Sequence, residues 1–250
     1  MEKASSKQEL ALEICIDSVA SALAAERGGA QRVELCDYLV GGGTTPSAGM
    51  IAVVRRHIQI SLHVLIRPRR GDFLYSEEEF EVMKRDIAVC RELGADGVVI
   101  GMLKADGTID MDRTRELIAL AQPLSVTFHR AFDLTPDPYK ALDDLLQLEV
   151  QRLLTSGQQE TALQGVDLIR ELQERAKGKL IIMPGSGVNP GNVREIIART
   201  GVNEVHASVR RKVESEMVYR KDYPPMSGSS SLSEFEQLVA EEAQVRLMRL

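Results

Sequence analysis

Eight short apolar runs punctuate the chain at intervals of roughly 20 to 35 residues, the rhythm of repeated strand–helix units. They are Leu12–Ile16, Arg32–Cys36, Ser61–Arg67, Gly97–Gly101, Ser125–Arg130, Arg152–Ser156, Leu180–Pro184 and Glu204–Ser208. Each is too short for a helix of ordinary length, and helical patterns separate them. The fifth is the most informative. In SVTFHRAFD, 125–133, the β-branched Val126 and Thr127 and the aromatic Phe128 give way abruptly to His129, Arg130 and Asp133. A strand that runs apolar and ends in polar chemistry before a helix is the unit of a (β/α)8 barrel, whose sites lie at strand C-termini. The expected fold is therefore α/β, a single TIM-like barrel of one domain over residues 1–250. A doubly wound sheet is the competing arrangement, but eight alternating units without a long linker favour closure.

Helix starts are legible between the runs. Thr45–Pro46, Thr135–Pro136 and Asn189–Pro190 each offer an N-cap followed by proline at the first helical position. Ser76 with Glu79 forms a capping box for a helix reaching about Leu93. The pairs Gly29–Ala30 and Gly94–Ala95 mark helix ends. Residues 1–10 read as an N-terminal tail and 226–231 as a Ser/Gly-rich loop. Ser233 and Glu236 then suggest a capped C-terminal helix over 232–250, with Leu232, Phe235, Leu238, Val239 and Val245 at helical spacing.

Composition narrows the setting. A formal net charge of −6 argues against a nucleic-acid partner. No segment approaches the length of a membrane span, the N-terminus lacks a signal-peptide core, and three cysteines do not form a disulfide framework. These features predict a cytoplasmic protein with reduced thiols and no membrane partner. Cys90, on the apolar face of its helix with Met83 and Ile87, reads as core.

Strand alternation assigns the interior. With Leu12, Ile14 and Ile16 facing the helices, Glu13 and Cys15 turn into the barrel; by the same parity so do Glu34, Cys36, His63, Leu65, Arg67, Thr127, His129, His206 and Ser208. Three of the four histidines thus share the inward face. Barrel interiors are normally aliphatic, and buried Glu, Arg and His are costly unless paired or solvated. A polar network with a purely structural role is one explanation; a functional pocket at the strand ends is the one the clustering favours. The candidate acid–base residues are Glu13, Glu34, His129, Arg130 and His206.

Glu13-x-Cys15 and Glu34-x-Cys36 repeat one pattern on adjacent strands, which lie about 4.8 Å apart. Two thiolates without further soft donors suit low-coordinate Cu(I), whereas zinc spacing is missing. Core packing and a redox or nucleophilic thiol are the alternatives. The loop after strand three, Arg67–Phe73, carries Arg67, Arg69 and Arg70, forks suited to carboxylates and phosphates. After strand seven, Gly185-Ser186-Gly187 opens a helix, where barrels often bind phosphate. Ser156 and Ser208 add hydroxyls, and Gly41–Gly43 reads as a lid or close-approach loop.

The runs LEICIDS at 12–18, GGAQRVELC at 28–36, GGTTPSAG at 42–49, IRPRRGDFLYS at 66–76, VTFHRAFD at 126–133, LTSG at 154–157, MPGSGV at 183–188 and EVHAS at 204–208 appear together and in order. They closely resemble the CutC family, known as copper homeostasis proteins. The resemblance implies a TIM-like barrel, a cytoplasmic and often homo-oligomeric protein, and Cu(I) as cofactor at the cysteine pair, here Cys15 and Cys36. The family's polar barrel residues map onto Glu13, Glu34, Arg67, His129, Arg130 and His206; Ser186 in the glycine loop is a small departure. Two functions remain open: a copper-binding homeostasis protein, or a barrel enzyme acting on a small anionic, possibly phosphorylated, metabolite gripped by Arg67, Arg69 and the 185–187 loop.

Overall fold

In the computed structural model, residues 10–221 and 233–249 are described. Eight parallel strands form the interior: β1 (Ala11–Ile16), β2 (Arg32–Leu35), β3 (Ser61–Leu65), β4 (Gly97–Ile100), β5 (Ser125–Phe128), β6 (Arg152–Thr155), β7 (Ile181–Pro184) and β8 (Glu204–Ala207). The order β7-β6-β5-β4-β3-β2-β1-β8 makes a nearly closed barrel. β7 and β8 lie side by side without a ladder between them. The helices between the strands are α1 (Val19–Gly28), α2 (Ala48–His57), α3 (Glu77–Glu92), α4 (Met111–Ala121), α5 (Pro138–Leu148), α6 (Val166–Ala176) and α7 (Val193–Thr200). Among the described residues no helix is long and apolar enough to cross a membrane.

Local chemistry explains the helix boundaries. Ser18, Ser47, Ser76, Asp110 and Asp137 each accept a backbone N–H from the first turn of α1 to α5. The Ser76–Glu79 capping box forms in both directions. Gly29 ends α1 at φ +90°, a conformation that favours glycine, and returns its N–H to the last carbonyls. Three of the expected starts are displaced. α2 begins after Ser47, because the Thr45 hydroxyl accepts the Arg67 N–H instead. α5 begins one pair later, at Asp137–Pro138, and the Thr135 hydroxyl donates to Phe132 O. α7 begins after Asn192; Asn189 folds into a turn whose side chain accepts the Gly191 N–H.

The C-terminal segment corrects the expected helix over 232–250. Residues 236–240 form strand β10 (Glu236–Ala240), antiparallel to β9 (Arg210–Glu214), and only α8 (Glu242–Leu247) is helical. Ser233 and Glu236 do bond to each other, the Ser233 N–H donating to Oε2 at 3.1 Å, but the turn they close leads into a hairpin. Leu232, the 226–231 loop and residues 1–9 lie outside the described residues. α8 packs on α1, with Val245 against Gly28.

One large core lies between sheet and helices, uniting Leu12, Ile14 and Ile16 with Val33, Leu35, Leu62, Val64, Val98, Val126 and Phe128. Cys90 belongs to it, with Met83 and Ile87. The opposite faces of the strands form a second, smaller group inside the barrel: Cys15, Cys36, Leu65 and Val99, beside Leu39.

Candidate metal centre

The polar interior is layered from the strand starts upward. Arg32, Arg152 and Glu204 open β2, β6 and β8, and all three share the inward parity. Arg32 donates to Glu204 Oε2 at 2.6 Å and from Nε to Glu13; Arg152 reaches the same Glu204 oxygen at 2.8 Å. This ion-paired floor was not anticipated from the sequence. The signal was present: the alternation that turned Glu34 and His206 inward also turns in the residues two positions earlier.

Above the floor, His206 Nδ1 lies 2.7 Å from Glu13 Oε1. Glu13 is completely buried, yet Arg32 and His206 outweigh the burial and hold its carboxyl well below the usual range. Burial opposes a charge on His206 as well, but its contacts with Cys15, Glu13 and Glu34 push it well above an ordinary imidazole. Its Nε2 stands 3.7 Å from Glu34 Oε2. Glu34 is pushed well above the usual carboxylate range by burial and by its contact with Cys15.

Next come the thiols. Cys15 and Cys36 lie on neighbouring strands with their sulfurs 3.8 Å apart. The contact between the two sulfurs, with His206, lowers Cys15 well below an ordinary cysteine, while the same contact and burial raise Cys36 well above one. Two thiols pushed in opposite directions and a raised carboxyl therefore share one buried pocket. Donor atoms of Cys15, Glu34 and Cys36 all lie within 4.8 Å of one another. Two sulfurs and one oxygen, the donor group found among the described residues, match a soft, low-coordinate ion better than tetrahedral zinc.

The pocket opens into a chamber of about 150 Å³ roofed by Leu39, Arg67, Phe73, His129 and Arg130. His129 Nδ1 accepts the Ala131 N–H at 3.1 Å, which leaves the ring proton on Nε2, a buried atom without a partner among the described residues. Burial and the nearby Arg67 push His129 down to about 3, so the ring is neutral. Its ring leans on Phe73, centroids 4.9 Å apart, and lies over Gly101, where a Cβ would come within 2.3 Å. His63 lies over Gly97 in the same way; its pKa is pushed to about 4 by burial, and it does not reach the chamber wall.

The expected anion-binding residues divide. Arg67 donates to the carbonyls of Gly43 and Gly71, each at 2.8 Å, and stacks on Phe73, so it staples two loops together. Arg69 lies outside the chamber, bound to Glu79 at 2.6 Å and Asp72 at 3.0 Å. Ser156 is fully buried and engaged with Asp133 and Arg130. Gly185 is needed for close packing, because a Cβ there would lie 2.5 Å from Leu154. Ser186, Gly187 and Ser208 line a separate cleft of about 360 Å³, which shares Cys15, Arg130 and His206 with the chamber. Asp133, in the 3₁₀ turn Arg130–Leu134, organises the loop after β6 by accepting from Thr155, Ser156 and Gln158.

Comparison with known proteins agrees with this geometry. The CutC family model matches residues 10–211. A CutC family protein from Chromobacterium violaceum is 52% identical over 238 residues, 95% of this chain and 96% of the relative. The copper homeostasis protein cutC homolog of Homo sapiens is 47% identical over 246 residues, covering 98% of this chain and 90% of its own length. A crystal structure of CutC from Streptococcus agalactiae superposes with a TM-score of 0.77 at 35% identity, covering 80% of this chain and 98% of that one. The chain belongs to the CutC family.

Proposed function

We propose that the protein binds Cu(I) as cargo between Cys15 and Cys36, in the manner that the copper homeostasis name of its relatives suggests. The observation that carries this reading is the pair of buried sulfurs 3.8 Å apart. Two metal–thiolate bonds of about 2.3 Å bridge such a gap at a bent angle, leaving a third side open. Glu34 faces that side. Thiolates are the ligands a monovalent soft ion selects.

Each protein group has a definable role. Contacts with Cys36 and His206 lower Cys15 well below an ordinary cysteine, which favours the thiolate that accepts the ion. Cys36 must release its proton, and Cu(I) binding is therefore coupled to acid release. Glu13 and Arg32 fix the His206 ring from below, which keeps its charge against Cys15. Leu39, Leu65 and Val99 shield the sulfurs from solvent.

The test is an anaerobic titration against a chromogenic Cu(I) chelator. About one Cu(I) per chain is expected for the native protein, and none for the Cys15→Ser/Cys36→Ser double variant, whose fold is checked by circular dichroism. Unchanged stoichiometry in the double variant would refute the proposal.

A further inference from the structure

The cleft beside the chamber carries chemistry that copper binding does not use. It lies between the ends of β7 and β8 and has a volume of about 360 Å³, within the usual size of a small-molecule site. Arg210 and Ser208, which follow β8, form one wall; Ser186 and Gly187, which follow β7, form another; Arg130, which follows β5, closes the inner side.

Two of these groups make no hydrogen bond among the described residues. The Arg210 side chain is 23% exposed, and its guanidinium holds only a loose ion pair with Asp17 Oδ2, 3.8 Å away. The Ser208 hydroxyl, half-buried after β8, has no partner among the described residues either. A guanidinium and a hydroxyl in a concave, partly buried wall, with so little holding them to the protein, are free to donate to a ligand. The backbone on both sides is also held in a costly form. Ser186 has φ +77° and Val209, a β-branched residue, φ +32°. Such conformations persist where surrounding structure enforces them, often around ligands.

We propose that this cleft is a binding site for the phosphoryl group of a small phosphorylated metabolite, adjoining the thiol pair. Three donor groups line it: Arg210, Arg130 and Ser208. Two guanidinium groups and a hydroxyl offer more donors than a planar carboxylate needs, since a single arginine fork satisfies that, and they suit the three oxygens of a phosphoryl group. The position between the seventh and eighth strand ends is where (β/α)8 barrels commonly hold phosphate. Because the cleft and the chamber share the walls of Cys15 and His206, the rest of the ligand extends toward the sulfurs. Arg130 brings only part of its guanidinium, since Asp133 at 2.7 Å and Ser156 at 2.9 Å occupy the remainder.

The test is calorimetric titration of the metal-free protein with ribose 5-phosphate, with ribose and sodium chloride at matched ionic strength as controls. Saturable binding of ribose 5-phosphate alone is expected. Arg210→Gln should weaken it about tenfold or more, and Ser208→Ala, a minimal change that leaves the fold intact, about threefold to tenfold. No binding of ribose 5-phosphate by the native protein, or equal affinity in both variants, would overturn the proposal. Cu(I) stoichiometry is read in a separate titration, so the two sites stand or fall independently.

Discussion

Protons are unevenly distributed among a few buried groups, and single residues decide where they go. Glu13 is the pivot, since it meets both Arg32 and His206. Glu13→Gln leaves two buried cations short of their counter-charge and is expected to destabilise the fold by about 3–5 kcal/mol in urea denaturation at pH 7. The histidines set a pH dependence of known sign. The unfolded chain protonates His63 and His129 near their ordinary 6.5, while the folded chain resists until about 4 and about 3. Acid therefore favours the unfolded state throughout that interval. The stability is complete above the unfolded value and falls as pH drops, with a slope of up to about 1.4 kcal/mol per pH unit for each imidazole. His206 acts in the opposite sense: its contribution is full below 6.5 and is lost as pH rises through its raised value. Urea midpoints measured from pH 7 to pH 5 should fall steadily, and less steeply in His129→Gln. Glycine spacing protects the same rings. Gly101→Ala places a methyl 2.3 Å from the His129 ring and should cost about 1–3 kcal/mol; an unchanged urea midpoint would contradict the packing described.

At the scale of elements, the capping box of α3 is the most self-contained device. Ser76→Ala should lower stability by about 1 kcal/mol in urea denaturation without altering ligand binding. The box was readable because Ser76 and Glu79 bond to each other across one turn, and the contact of Glu79 with Arg69 does not displace that pairing. The other starts were not, because local patterns were outcompeted by distant partners: Thr45 is claimed by the Arg67 N–H, and Asn189 by its own loop. The C-terminal segment shows the same limit more sharply. Ser233 and Glu236 form the contact their spacing implies, yet pairing with Arg210–Glu214 makes the following residues a strand. Period-two and period-3.6 patterns overlap in so short a run, and only the partner strand separates them. The β-strands themselves were legible because both faces are constrained at once, one by helices and the other by the chamber.

For the whole molecule, alternation along the strands was enough to bring Glu13, Glu34, Cys15, Cys36 and His206 together, although it did not reveal how they are joined. Arg69 shows what was illegible: charge and loop position suggested a ligand contact, but Glu79 and Asp72 hold it outside the chamber. Nor did sequence show that Arg67 binds carbonyls, since its acceptors come from two separate loops. The hairpin and α8 pack on α1 at the outside of the barrel. Gly28→Ala drives a methyl to within 2.5 Å of Val245, so it should displace α8 and cost about 1–3 kcal/mol. Cu(I) stoichiometry should stay unchanged, because the thiols face the barrel interior whereas α8 packs on α1.

Binding of Cu(I) by the thiol pair is read most directly by X-ray absorption at the copper edge. Protein loaded anaerobically with one equivalent of Cu(I) should show two sulfur neighbours at about 2.3 Å, and both should vanish from the protein-bound signal in the double cysteine variant. A first shell of nitrogen and oxygen alone, or a spectrum indifferent to the loss of Cys15 and Cys36, would contradict it.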